Sequence, residues 1–253
     1  MLGKLLKHEM IYLVKTFSPI YIAFLGLSVL MRVFTLMNGD FDMEENALYF
    51  TLIVFAGIVG AAFGVLSAVM ALMTMVDNIR RFKNNMFTDE GYLTNTLPVT
   101  ATEHIAAKLL AGIINYLVSV VVLVLGLFIA SKSTSDAIGW IWKEMISDDI
   151  SIGYKLSTLL LGLMIFLTIQ LLGYLISALN NMVNSFKGFL SFFLGFAAVM
   201  FFIIMSSRIT AFALAGELSA LSTILVVCAF LFACCVGMYL LIVNIIKHHL
   251  NLQ

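Results

Sequence analysis

Apolar residues gather in six runs along the chain, at residues 20–37, 48–76, 105–130, 156–179, 189–205 and 218–246. A helix that crosses a bilayer needs about 20 mostly apolar residues, and the runs meet that length repeatedly. The run at 48–76 is long enough to project beyond the bilayer. Polar stretches separate the runs at 38–47, 77–104, 131–155, 180–188 and 206–217. No proline- or serine-rich linker, low-complexity tract or internal repeat divides the chain. The pattern predicts a single all-α domain over 1–253, a polytopic membrane helical bundle with six transmembrane helices.

Ahead of the first run, Leu2, Leu5, Leu6, Met10, Leu13, Val14 and Phe17 recur at steps of three and four. Lys4, Lys7, His8 and Lys15 lie mostly off that stripe. This predicts an N-terminal amphipathic helix over 2–17 lying in the membrane interface. Pro19 then stands where a second helix would begin, a position at which its missing N–H costs nothing. The first run follows a charged stretch and reaches spanning length, so it reads as a span, not a cleavable signal.

Composition strengthens the membrane reading. Of 253 residues, 62% are hydrophobic and 11% charged, where a soluble domain carries roughly 25% charged residues. The net charge is zero, so no basic field points to nucleic acid. Cys228, Cys234 and Cys235 share one apolar run without metal-ligand spacing and read as membrane-buried side chains.

Lysine and arginine bias predicts orientation. With the N-terminus in the cytoplasm, the inner set is Lys4, Lys7, Lys15, Arg80, Arg81, Lys83, Lys108, Lys187 and Lys247. The outer set is Arg32, Lys132, Lys143, Lys155 and Arg208, nine against five. Both termini are therefore expected in the cytoplasm. Trp140 and Trp142 suit a helix resting on the outer interface.

Catalytic motifs are missing. There is no GxxxxGK[ST] loop to cradle nucleotide phosphates, no HExxH and no GxSxG elbow. Glu44 and Glu45 read as a solvated loop. The chain is expected not to be an enzyme, and to hold no metal or cofactor of its own. Arg32 is the one ionisable residue well inside a span, near an end from which it can snorkel. The other intramembrane polar groups are Asn115, Ser119, Thr168, Gln170, Tyr174 and Ser177. Helix–helix hydrogen bonding accounts for such groups, with Asn115, Thr168 and Gln170 as candidates for a substrate path. Along the second span Ala56, Gly60, Gly64 and Ala68 repeat every four residues. That stripe fits close helix packing, within one bundle or at a subunit interface.

The polar stretch 77–104 carries the most information. Arg80, Arg81 and Lys83 open it as a helix extension. A short amphipathic helix is expected from Thr88 to Thr96, with Phe87, Tyr92, Leu93 and Leu97 as apolar anchors. Pro98 stops it, and Thr100 with Glu103 forms a capping box for the next helix. A short framed helix with one apolar face suits a groove on a soluble partner.

The run DEGYLTNTLPVT at 89–100 resembles a stretch found in ABC-transporter permeases of the type-2 exporter family. The wider plan resembles that family too: an amphipathic N-terminal helix, six spans, and the longest cytoplasmic loop between spans two and three. The apolar outer segment 206–217 (Ile209, Phe212, Leu214) resembles the short outer helices that family carries before its last span. The resemblance implies a multi-pass permease of a cell membrane, a bacterial plasma membrane. It implies a dimer with a second, identical or different, permease chain. It also implies a separate ABC-type ATPase subunit, which would carry the ATP and magnesium. Coupling to that ATPase would fall to Asp89, Glu90, Tyr92, Leu93 and Leu97. Two other classes compete with this transport subunit: a non-transporting membrane protein (receptor, assembly scaffold or immunity protein) and an intramembrane enzyme with an unrecognised motif.

Overall fold

The computed structural model describes residues 2–39, 47–87, 100–130, 151–182 and 187–248. They form six helices: α1 (Leu2–Gly39), α2 (Ala47–Phe87), α3 (Ala101–Ala130), α4 (Ile152–Met182), α5 (Lys187–Ala215) and α6 (Ala220–His248). No strand occurs among the described residues. All six helices are long and apolar enough to cross a membrane. The chain is the all-α helical bundle its apolar pattern predicts.

Two boundaries differ from the sequence reading. The helix at 2–17 and the first span are one element, and Pro19 lies inside α1 instead of opening a second helix. A proline inside a helix removes one backbone bond. Ending the helix there and starting another would expose four C=O groups and four N–H groups. In apolar surroundings each unsatisfied group is costly, so the single lost bond is the smaller cost.

The other difference concerns 206–217, which is not a separate short helix. α5 runs through it to Ala215. Its hydroxyls support that continuity by bonding back to their own helix: Ser206 Oγ to Ile203 O at 3.0 Å, and Ser207 Oγ to Ile204 O at 2.8 Å. The helix stops in a tight turn in which Leu218 N donates to Ala213 O at 3.0 Å. That closure holds Glu217 at φ 52°, a left-handed position that usually takes glycine.

Packing divides the chain into two compact units. One comprises Lys7–Thr74 and Ile114–Ile150; the other comprises Met1–Leu6, Met75–Ile113 and Ser151–Gln253. In the first, Phe24 is fully buried and stacks on Phe63 with ring centroids 4.8 Å apart. The Phe24 ring also lies against Gly126, where any added Cβ would collide with it. Tyr21 adds a polar node here. Its hydroxyl donates to Asn115 Oδ1 at 3.1 Å and lies 2.6 Å from Ser119 Oγ.

The second unit holds one apolar core drawn from α2, α3, α4 and α6, centred on Phe82, Met86, Ile105, Tyr174 and Ile242. α5 contributes little to it. Phe189, Phe192, Phe193 and Phe196 are all well exposed. An apolar face of that extent needs cover, and for a spanning helix lipid supplies it.

Candidate functional site

Residues 88–99 lie outside the described residues, and Asp89, Glu90, Tyr92, Leu93 and Leu97 with them. Trp140, Trp142, Glu44 and Glu45 do too. The two stems that lead into 88–99 are described, and both belong to the second unit.

The first stem is the end of α2. It continues as helix to Phe87, as expected for a helix extension at the start of the 77–104 stretch. The second stem is the start of α3. Thr100 N donates to Glu103 Oε2 at 3.1 Å, and Glu103 N donates to Thr100 Oγ1 at 3.3 Å. This is the reciprocal capping box expected from a threonine three residues before a glutamate. The box satisfies backbone donors at the helix start and fixes where the chain turns into α3.

Both stems are clamped by α4 and α6. Phe82 of α2 stacks on Tyr174 of α4 with centroids 4.0 Å apart and planes 16° from parallel. Phe87 meets Phe82 edge-on at 5.7 Å. Met86 and Ile105, one on each stem, are both fully buried. The Tyr239 hydroxyl of α6 donates to Thr102 O at 3.5 Å. At Gly173 a Cβ would meet Ile79 Cγ1 at 2.6 Å, so the Ile79 side chain of α2 lies directly against the α4 backbone there.

Polar contacts between α2 and α3 add to the clamp. With its amide oxygen facing α3, Asn85 accepts from Lys108 Nζ at 3.1 Å while its nitrogen donates to Arg81 O at 3.2 Å. Asn78 Nδ2 lies 3.0 Å from where a Cβ on Gly112 would stand. His104, Lys108 and Asn78 are all more than nine-tenths buried. In the sequence Lys108 stands out only as one of the inner set of lysines and arginines, and Asn78, Asn85 and His104 do not stand out. A signal was present: His104, Lys108 and Gly112 fall at four-residue steps on one face of α3, and Asn78 and Asn85 lie seven apart on α2.

Of the proposed substrate-path residues, Asn115 belongs to the first unit, and Thr168 and Gln170 belong to the second. Asn115 sits in the first unit, accepting from Tyr21, with its Nδ2 buried and unsatisfied. Thr168 donates to Met164 O at 2.7 Å and lies 3.4 Å from Cys235 Sγ. Gln170 faces another neighbour, donating to Met75 O at 3.3 Å, with its Oε1 buried and unsatisfied. Ser119 and Ser177 donate to backbone carbonyls of their own helices. These groups read chiefly as helix–helix and intrahelical bonding.

The small-residue stripe of α2 splits in use. A Cβ on Gly60 would meet Met31 Cε at 3.5 Å, Ala56 is half-buried, and Gly64 and Ala68 are exposed. Among the described residues, no three His, Cys, Asp or Glu side chains gather as metal ligands. The chain matches no family model, no curated protein and no solved structure.

Proposed function

We propose that this chain is the membrane-spanning permease subunit of an ATP-driven exporter, with hydrolysis carried out by a separate cytoplasmic ATPase. The observation that carries the reading is the framing of 88–99, the segment whose sequence resembles that of type-2 ABC permeases. Its stems are a helix that outruns its span and a reciprocally capped helix, and both are buried in the core that α4 and α6 share. A push on a segment held this way passes into four helices instead of being lost in a loose loop. Coupling needs that stiffness, and a plain connector does not.

On this reading Tyr92, Leu93 and Leu97 seat in the ATPase groove, and Asp89 and Glu90 stabilise the start of the short helix through its dipole. A second permease chain completes the pathway, and the exposed Gly64 and Ala68 offer a close-approach surface for it. ATP and magnesium sit on the partner. The purified chain alone hydrolyses no ATP, because it carries no GxxxxGK[ST] loop. Hydrolysis by a preparation free of any partner chain overturns the reading.

The protein would lie in a cell membrane with both termini in the cytoplasm. Single cysteines at Asn84 and Ser135 check this. An impermeant thiol reagent applied to intact cells labels the Ser135 site and spares the Asn84 site; the reverse labelling inverts the topology.

A further inference from the structure

We propose that a groove between α4, α5 and α6 binds a phospholipid carrying a primary-ammonium headgroup, the phosphoethanolamine type. The groove has a volume of about 350 Å³ and lies wholly within the second unit. Leu161, Ile203 and Ile224 give it an apolar wall suited to an acyl chain. Phe212, Leu218, Leu225 and Val226 nearby are exposed. A surface of that composition meets the bilayer, so its occupant comes from the bilayer.

The hydroxyls decide the headgroup. Ser206, Ser207, Thr210 and Thr223 line the groove. A hydroxyl has one proton and two lone pairs. Each of these four spends its proton on its own helix. Ser206 and Ser207 donate as described above, Thr210 Oγ1 shares its one proton between Ser206 O at 3.0 Å and Ser207 O at 2.9 Å, and Thr223 Oγ1 donates to Ser219 O at 3.1 Å. The groove therefore presents acceptors without donors, and a ligand gains hydrogen bonds there only by donating. A primary ammonium has three N–H donors. A trimethylammonium has the same charge and none. Arg208, next to Ser207 in the chain, is exposed, and on this proposal it supplies a cation for the lipid phosphate.

The proposal goes beyond the permease reading and does not depend on it. The full chain is purified in detergent and loaded with either phosphatidylethanolamine or phosphatidylcholine of identical acyl chains, and the lipid retained is counted by native mass spectrometry. Retention of phosphatidylethanolamine exceeds that of phosphatidylcholine by about tenfold, the scale of one hydrogen bond to a charged group. Thr210→Val with Thr223→Val keeps the shape, removes two acceptors and abolishes the preference, while thermal stability stays unchanged because both hydroxyls bond only within their own helices. If that pair does not fold, Ser206→Ala with Ser207→Ala reads the same loss. Equal retention of the two lipids by the unmodified chain, or an undiminished preference in a folded variant, overturns the proposal.

Discussion

Tyr174→Ala lowers the stability of the detergent-solubilised protein by about 3 kcal/mol, near the lower end of large-to-small core replacements. The ring is 1% exposed and stacks on Phe82, itself fully buried. In a bilayer the hydrophobic transfer term is weak, because lipid tails are as apolar as the protein interior. What remains is the lost packing and the cavity. That cavity would open beside Gly173, where the Ile79 side chain already lies against the α4 backbone, so the neighbours have little room to collapse into it. Phe192→Ala serves as the control. Phe192 is 74% exposed, and its loss leaves the unfolding temperature nearly unchanged. Thermal unfolding of both variants in one detergent checks the pair. Equal shifts would mean that the core at the two stems is not the stable centre of its unit.

The second large effect falls on 88–99. On the proposed permease reading, Tyr92→Ala with Leu93→Ala weakens association with the partner ATPase by at least 2 kcal/mol, roughly 30-fold, because buried aromatic anchors often dominate an interface. Neither side chain lies in an apolar span, so the variant inserts and folds normally. Transport falls, or hydrolysis continues without transport. Binding of the solubilised variant to the ATPase, with ATP hydrolysis and transport measured in proteoliposomes, reads all three quantities. A normally inserted variant with unchanged complex and transport would reduce the segment to a connector.

The stems themselves were legible in the sequence because their signals are local. A threonine followed three residues later by glutamate announces the Thr100–Glu103 cap, and apolar run length announces each of the six helices. The misread boundaries, Pro19 and 206–217, share a cause. Proline and hydroxyl residues mark helix ends in water, where freed backbone groups are solvated. In apolar surroundings ending a helix costs more than one missing bond, and serine and threonine satisfy themselves on carbonyls three or four residues back.

The clamp around the stems was not legible, because its contacts join residues far apart in sequence. Tyr174 reads from the sequence as one polar group in an apolar run, and its stacking on Phe82 appears only when α4 meets α2. Lys108 likewise reads as a boundary charge until Asn85, on another helix, is seen to accept from it. Helix periodicity gives the face on which a residue lies; the partner across that face is a tertiary fact.

Whether this chain works as half of an ATP-driven machine, as proposed, is tested most directly by its company in the membrane. The chain is purified from its native host in mild detergent, and every co-purifying polypeptide is identified and quantified. A permease subunit brings with it a stoichiometric partner that carries a GxxxxGK[ST] loop and that is lost from the Tyr92→Ala, Leu93→Ala variant. A chain recovered intact, inserted and active with no nucleotide-binding partner would contradict it.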